Sequence, residues 1–150
     1  MKISNYLAPG RISPDFSAKS KPDAVQGLLK MMTASEMLAA DKVPDVQLVI
    51  LEREALTSTG LGYGLAIPHA RTELVAKIQV VFARSPRGVE FEALDGNPVH
   101  FLFLVLAPAR CADEYLKLIS SISSLMKNEN VRKQLLSAKS REDILRVFDQ

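Results

Sequence analysis

The chain has 150 residues, 47% hydrophobic and 24% charged, a balance that is typical of a globular protein with a core of its own. Its net charge of +2 comes from 19 basic and 17 acidic side chains spread along the chain, so no basic tract predicts a nucleic acid as a partner. The single cysteine excludes an intrachain disulfide, and no apolar run approaches the roughly 20 residues that cross a bilayer. Since no secretory signal is recognisable either, we expect one cytoplasmic domain over residues 1–150, without membrane insertion.

The first third of the chain is predicted to hold one short strand and two helices. The strand is expected near Ile12, in a stretch over residues 1–19 that is otherwise irregular. The first helix is indicated by Ser20 and Asp23, which have the spacing of a helix cap, and by the apolar residues at helical spacing that follow them: Val25, Leu28, Leu29 and Met32. A second helix is predicted over about residues 46–56.

The strand signals lie in the middle of the chain. Residues 78–83 are a compact run of β-formers, and Val89-Glu90-Phe91-Glu92 alternates as a half-exposed strand does. The Asp-Gly-Asn-Pro sequence at residues 95–98 predicts a turn. The almost continuously apolar run at residues 99–106 predicts a strand that is covered on both faces.

Three helices are predicted after the last strand. Two short ones are expected near residues 130–138 and 141–148, the latter opened by Ser140 with Asp143 at capping-box spacing. Helices before, among and after a few strands predict an α/β sandwich, with a mixed parallel and antiparallel β-sheet flanked by helices on both faces. The first of the three helices covers about residues 113–127, and its inward side is expected to carry Leu116, Ile119, Ile122, Leu125 and Met126.

The stretch STGLGYGLAIPHA, residues 58–70, holds three glycines in alternation. A dinucleotide-binding glycine motif follows a strand and opens a helix, whereas here a predicted helix precedes the glycines and a short strand follows them. The Gly-Lys-Ser/Thr ending of a P-loop is also missing from this stretch. The pattern therefore argues against a nucleotide site, and no cofactor is expected.

The two histidines of the chain, His69 and His100, lie 31 positions apart with no cysteine or carboxylate at ligand spacing. Since zinc normally takes three or four protein ligands, no metal site is predicted. His100 lies in a predicted strand among apolar neighbours and is interpreted as a strand-face histidine.

His69 follows Pro68, which restricts the backbone before it and has no amide hydrogen to donate. The glycines upstream allow a tight turn that brings backbone N–H groups close to an anion. A histidine beside such groups has what a phosphoryl acceptor needs, with one ring nitrogen held by a hydrogen bond and the other free to attack. The other interpretation is a Pro-His pair that merely ends a strand, and the residues alone leave both open.

Arg53 falls at the next position of the inward stripe that Val46, Val49 and Ile50 mark in the second predicted helix. Arginine is rarely buried without a partner, and its planar fork suits phosphate. The alternative is a stem laid along apolar surface, with its charged head in water or paired with a carboxylate. The spacing alone slightly favours this alternative.

The run from Glu54 through LGYGLAIPHA at residues 61–70 resembles the signature of the fructose/mannitol-type enzyme IIA domains of the bacterial phosphotransferase system (PTS). The similarity continues through FEALDGNPVHFLFLVLAPA and covers essentially the whole chain. It implies a mixed β-sheet flanked by helices. It also implies a histidine that takes phosphate from an HPr-like phosphohistidine carrier protein.

Carried over residue by residue, the resemblance makes His69 the phosphorylated histidine, with Nε2 as the expected acceptor atom, and Arg53 the active-site arginine. Ser58 and Thr59 match polar positions of the loop before the glycines. These two hydroxyls and the backbone at Gly60 are candidates for phosphate contact. For the hydroxyls, turn chemistry is the alternative role.

The match departs from the family at Tyr115. Many members carry a second active-site histidine just inside the helix after the LAPA strand end, and Tyr115 stands where that histidine is expected. A tyrosine can donate a hydrogen bond but cannot act as a cation near neutral pH. We therefore count Tyr115 among the candidate phosphate-binding residues and expect an altered phosphate environment.

A chain of this size is most similar to the stand-alone nitrogen-regulatory IIA proteins, which implies a regulator that changes its target protein with its phosphorylation state. The first alternative is a sugar-specific IIA component that passes phosphate to a IIB protein. The second is a docking module that is not phosphorylated, for which Tyr115 is the only support. The target protein, the sugar and the oligomeric state are not predicted.

Overall fold

The computed structural model describes residues 2–149. Two short 3₁₀ turns, Ile3–Tyr6 and Pro9–Arg11, open the chain, and two more precede α2 and α3. The helices are α1 (Lys21–Ala34), α2 (Val43–Glu54), α3 (Ala112–Met126), α4 (Glu129–Ser137) and α5 (Arg141–Phe148). The strands are β1 (Ile12–Ser13), β2 (Gly60–Gly62), β3 (Leu65–Ala66), β4 (His69–Arg71), β5 (Gln79–Val89) and β6 (Val99–Ala107).

The predicted helix caps are present. The Ser20 side chain accepts a hydrogen bond from the Asp23 amide at 3.3 Å, and Ser140 accepts one from the Asp143 amide at 3.0 Å. Each cap satisfies an amide that has no partner inside its own helix. The second helix begins earlier than predicted, because Pro44 is tolerated within its first turn, and it ends at Glu54.

The strands form one mixed sheet with the path β1-β5-β6-β3-β2. Strands β5 and β6 are antiparallel, as are β2 and β3, whereas β1 runs parallel to β5. Strands β3 and β4 both run parallel to β6 and follow one another along its second edge, with Leu65 opposite Phe101 and His69 opposite Val105. The chain therefore returns to the same edge of β6 after a two-residue interruption.

Helices cover both faces of this sheet, so the predicted α/β fold class is confirmed. Helices α3, α4 and α5 pack on one face, where Phe82, Phe103 and Phe148 form an aromatic cluster with ring centroids 4.7, 5.0 and 5.4 Å apart. Helices α1 and α2 pack on the other face. Apart from His100, every residue of β6 is buried, as its apolar sequence predicts. Within residues 2–149, no helix combines the length and hydropathy that crossing a membrane requires.

Two sequence-based expectations were wrong, one about a strand and one about the buried face of a helix. Residues 89–92 do not form a separate strand, since β5 extends to Val89 and Glu92 takes a φ of 55° that no strand accommodates. In α3 the buried face carries Tyr115 and Leu118, whereas Leu116 is 62% exposed. The Leu116 error arises because an apolar stripe on a helix is wide, and only the packing against the sheet decides its centre.

The glycine-rich stretch forms the turn between β2 and β3. Gly62, Tyr63 and Gly64 take φ values of 116°, 58° and 69°, so two of the three left-handed positions carry the residue that adopts them without strain. The Gly64 carbonyl oxygen accepts hydrogen bonds from the amides of His100 and Phe101. The glycines therefore serve a tight turn that docks on β6, and no helix follows them.

Candidate active site

The interruption between β3 and β4 is the dipeptide Ile67-Pro68. Pro68 has no amide hydrogen, so it cannot continue the ladder as a donor. Its carbonyl oxygen still accepts a hydrogen bond from the Val105 amide at 3.1 Å. This contact holds the start of β4 against β6 and fixes the backbone from which the His69 side chain extends.

The His69 ring is oriented by its own backbone neighbour. Its Nδ1 atom lies 2.5 Å from the carbonyl oxygen of Ile67. A carbonyl oxygen only accepts, so Nδ1 carries the proton and donates it, which leaves Nε2 with a free lone pair. Among residues 2–149, no hydrogen-bond partner occupies Nε2.

The protonation state of His69 follows from its surroundings. Burial lowers the pKa of His69, and the positive charge of Arg53 lowers it further. The hydrogen bond to Ile67 and the charge of Glu54 act in the opposite direction without reversing the shift. His69 is therefore neutral at neutral pH, as a nucleophilic imidazole must be.

An open cavity beside His69 is formed where β4, at the edge of the sheet, meets α2 from one face and α3 from the other. The sequence-predicted residues Arg53, His69 and Tyr115 all line it. Its remaining lining residues are Val49, Ala70, Arg71 and Leu116. Three elements that are distant in the sequence thus bring two cationic groups, an imidazole and a phenol to one place.

Arg53 reaches this cavity from the flank of α2. The inward stripe of α2 continues through Val46 and Ile50 to Glu54, which is 4% exposed, so the expectation that Arg53 takes the next inward position was wrong. Arg53 is half-buried as a whole residue, and its Nη1 donates a hydrogen bond to the Thr57 carbonyl oxygen at 3.1 Å. The remaining donors of the guanidinium leave room for an anion in the cavity.

Tyr115 is 4% exposed, and its ring centroid lies 5.9 Å from that of His69. Burial raises the pKa of Tyr115 to about 12, although the positive charges of Arg71 and Arg53 oppose the shift. The phenol is therefore uncharged at neutral pH and keeps a hydroxyl that can donate a hydrogen bond.

Arg71 was not identified by the sequence analysis. It lines the cavity two residues after His69 on β4. In the part of the chain that the structure describes, its guanidinium makes no hydrogen bond or ion pair, so all of its donors are available. Side chains two positions apart on a strand point to the same face, and this period of two was the signal that would have revealed it.

Ser58, Thr59 and Gly60 lie outside the lining of this cavity. The Ser58 hydroxyl accepts a hydrogen bond from the Gly60 amide at 3.0 Å, which is turn chemistry. The Thr59 amide donates to the Glu54 carboxylate, whereas Thr59 Oγ1 is buried without a partner among the described residues. A contact between these residues and phosphate stays a prediction.

His100 lies apart from the cavity. Its Nδ1 donates to the Ser85 carbonyl oxygen at 2.8 Å, and its ring packs near Gly64 and Gly88. Among residues 2–149, His, Cys, Asp and Glu side chains form no group of three or more that could hold a metal ion.

The chemistry of the site follows from these groups together. A neutral imidazole with a free Nε2, two guanidinium groups and an uncharged phenol line one cavity. Such a set can stabilise an anionic group beside an imidazole whose Nε2 is free. Nothing in the set supplies a second ionising imidazole.

The family follows from the sequence match. Residues 5–150 match the family model described as "Phosphoenolpyruvate-dependent sugar phosphotransferase system, EIIA 2". The chain therefore belongs to the type-2 enzyme IIA family of the phosphotransferase system, as the signature around His69 indicates.

The relatives carry two kinds of name. The chain is 42% identical to the fructose-specific EIIA component of Haloferax volcanii, over 97% of this chain and 94% of that protein. It is 34% identical to the nitrogen regulatory protein of Bradyrhizobium diazoefficiens, over 99% of this chain and 95% of that protein. It is also 35% identical to the fructose-specific EIIABC component of Bacillus subtilis over 100% of this chain, which spans only 23% of that larger protein.

The solved structures agree on the fold. The nitrogen regulatory protein IIA-Ntr of Neisseria meningitidis superposes with a TM-score of 0.88 at 29% identity, over 97% of this chain and 98% of that one. The enzyme IIA of mannitol from Escherichia coli, solved in complex with phosphorylated IIB, superposes with a TM-score of 0.79 at 23% identity, over 95% and 96% of the two chains. These neighbours confirm the single-layer mixed sheet between helices.

Proposed function

We propose that the chain is a phosphocarrier that accepts a phosphoryl group on His69 Nε2 from an HPr-like phosphohistidine protein. The observation that carries the proposal is the hydrogen bond from His69 Nδ1 to Ile67, because it leaves Nε2 neutral and free at the wall of a cationic cavity. The type-2 EIIA family supports the same chemistry.

The transfer needs no proton from solvent. The Nε2 lone pair attacks phosphorus in line with the donor's N–P bond, and a new N–P bond forms while the old one breaks. The electron pair of the broken bond returns to the donor ring, which leaves as a neutral imidazole with the proton on its other nitrogen. His69 keeps its Nδ1 proton throughout, and the Ile67 carbonyl oxygen stabilises the positive character that the ring acquires.

The charge of the phosphoryl group is offset by the two guanidinium groups. Arg53 and Arg71 approach it from α2 and β4, and the Tyr115 hydroxyl is a further donor. Guanidinium groups form paired, charge-assisted hydrogen bonds with phosphate oxygens. Ser58, Thr59 and Gly60 enter the proposal as candidates for contact, although they lie outside the lining of the cavity.

We further propose that the phosphorylated chain acts as a nitrogen-regulatory type switch in the cytoplasm. The nitrogen regulatory relatives and the TM-score of 0.88 with IIA-Ntr support this assignment. A phosphate adds up to two negative charges beside the exposed Leu116 and the half-buried Val49, so the surface presented to a target protein loses local positive charge. Residues 1–150 act as one domain in this proposal.

A sugar-specific IIA component is the second candidate. The 42% identity with a fructose-specific EIIA component favours it, and a mannitol IIA protein has been solved with its IIB partner. In this role the same phosphohistidine passes its group to a IIB protein. Both candidates share the first step and differ in the acceptor that follows.

The test is intact mass after incubation with phosphoenolpyruvate, enzyme I and an HPr-type carrier. Wild type and a His100→Ala control should each gain one acid-labile phosphate, whereas His69→Ala should gain none. No gain in the wild type, with a known IIA protein labelled in the same tube, would leave a docking module that is not phosphorylated. If the wild type is phosphorylated, transfer of its phosphoryl group to a purified IIB protein would favour the sugar carrier over the regulator.

A further inference from the structure

A buried ion pair lies directly behind the candidate active site. Glu54, the last residue of α2, has a side chain that is 2% exposed, and its Oε1 lies 3.3 Å from Nζ of Lys21 at the start of α1. The same Lys21 ammonium lies over the Phe91 ring, 5.2 Å from its centroid, and 3.8 Å from the exposed carboxylate of Glu92. Charges in such positions are retained only when they are paired and hydrogen-bonded.

The Glu54 carboxylate also holds the loop before the glycines. Both of its oxygens accept the Thr59 amide, at 3.1 and 3.2 Å. The carbonyl oxygen of Thr59 accepts the Ile67 amide at 3.3 Å. The carbonyl oxygen of Ile67 accepts His69 Nδ1 at 2.5 Å. A continuous series of contacts therefore joins the buried carboxylate to the imidazole.

The links of this series belong to different peptide groups. The amide and the carbonyl of Thr59 lie on opposite sides of its Cα atom, and the same holds for Ile67. Electronic polarisation is therefore not passed along a conjugated path, and the effect of the series is to fix positions. Because Glu54 also directly follows Arg53 in α2, the same anchor sets where both the arginine and the histidine of the site lie.

We propose that Glu54 is a positioning residue for phosphoryl transfer, which holds the Ile67 carbonyl in place and thereby keeps His69 in the Nδ1–H form with Nε2 free. Lys21 holds the carboxylate in position through their ion pair. The inference rests on the proposed function for its kinetic consequence, but not for its effect on the imidazole.

Two substitutions separate the position of the carboxylate from its charge. Glu54→Asp keeps the charge and the Lys21 partner but is one methylene too short to reach the Thr59 amide. Glu54→Gln keeps the length and an oxygen that accepts the amide, but loses the charge. Urea unfolding and the amide spectrum establish that each variant is folded. If Glu54→Gln does not fold because Lys21 is left unpaired, the Lys21→Met/Glu54→Gln double variant replaces it.

The first readout is the tautomer of His69, from long-range ¹H–¹⁵N correlation spectra of the unphosphorylated protein at neutral pH. Wild type and Glu54→Gln should show the Nδ1–H form, and Glu54→Asp should show a mixture of both forms. The second readout is the rate of phosphoryl acceptance. In Glu54→Asp this rate should fall about tenfold, while the half-saturating donor concentration stays unchanged. A tenfold loss is the low end of what losing an orienting partner of a histidine costs.

Two results would overturn the inference: a Glu54→Asp variant with the tautomer and rate of the wild type, or a Glu54→Gln variant that is as impaired as Glu54→Asp. The tautomer measurement requires no phosphate. If the wild type is never phosphorylated but its tautomer responds as expected, the proposed function fails while the positioning role of Glu54 stands.

Discussion

His69 and Tyr115 face each other across the cavity, with their ring centroids 5.9 Å apart and their planes inclined at 59°. Tyr115 occupies the position where the sequence resemblance led us to expect a second histidine. Because burial raises the pKa of Tyr115 to about 12, this position holds a neutral donor instead of a group that titrates near neutral pH. The site therefore has one ionising imidazole, and arginines supply its positive charge.

Tyr115→Phe removes the hydroxyl and keeps the buried ring. We expect phosphoryl acceptance to slow by about tenfold, since a hydrogen bond to a charged group is worth about 1.5–3 kcal/mol. Stopped-time labelling with the phosphorylated carrier measures the rate. The matched Tyr115→His variant should gain a second titration step in its rate–pH profile. An unchanged rate in Tyr115→Phe would exclude the phenol as a donor to the phosphate.

Acceptance by His69 should be insensitive to pH above the ordinary histidine pKa of about 6.5. The pKa of His69 is lowered by burial and by Arg53, so Nε2 stays unprotonated until the pH falls below that ordinary value. The same shift disfavours protonation of the folded state, so stability is also lost as the pH falls below about 6.5. Histidine NMR titration checks the pKa, and Arg53→Met should raise it. A His69 that titrates above 6.5 would contradict this expectation.

Arg71→Met should slow phosphoryl acceptance by about tenfold, because a charge-assisted hydrogen bond to phosphate is worth about 1.5–3 kcal/mol. Arg87→Met is the matched control, since Arg87 is an exposed arginine of β5 outside the cavity and its loss changes the net charge equally. The two rates are compared at several salt concentrations. Equal effects of both substitutions would mean that only the overall charge of the chain matters.

Gly64→Ala should destabilise the chain by about 1–2 kcal/mol, the strain of a left-handed backbone with a Cβ atom. The φ of Gly64 is 69°, and its added Cβ would meet nothing closer than 3.5 Å, so strain and not collision is tested. Gly10→Ala, where nothing lies within 4 Å of the new Cβ, should leave stability unchanged. Urea denaturation measures both. Loss of phosphoryl acceptance in a fully stable Gly64→Ala would instead assign the glycine a direct role in binding.

Local features of the fold were predictable wherever neighbouring residues decide them. The Ser20 and Ser140 caps involve atoms three residues apart, and the buried strand β6 is apolar on both faces. Alternation at residues 89–92 was misleading because the pairing of β5 ends at Val89, opposite Val99, where β6 begins. Only the partner strand carries that information.

The last two residues of α2 illustrate the limit of sequence-based prediction within one helix. Arg53 and Glu54 are adjacent, and both fit an inward stripe that Val46 and Ile50 begin. Helical periodicity cannot choose between them, since one residue changes the direction of a side chain by only about 100°. The buried Lys21 ammonium and the Thr59 amide make Glu54 the inward residue, which turns Arg53 toward the cavity.

The signature around His69 is sufficient to indicate the family, because Pro68 and the glycines impose their backbone geometry locally. The signature does not determine which other residues line the cavity. Arg71 and Tyr115 join His69 only because β4 lies at a sheet edge where α2 and α3 meet from opposite faces. Secondary-structure propensity acts over a few residues. The burial, the pKa and the spatial neighbours of a side chain depend on long-range packing, so the tertiary structure alone decides them.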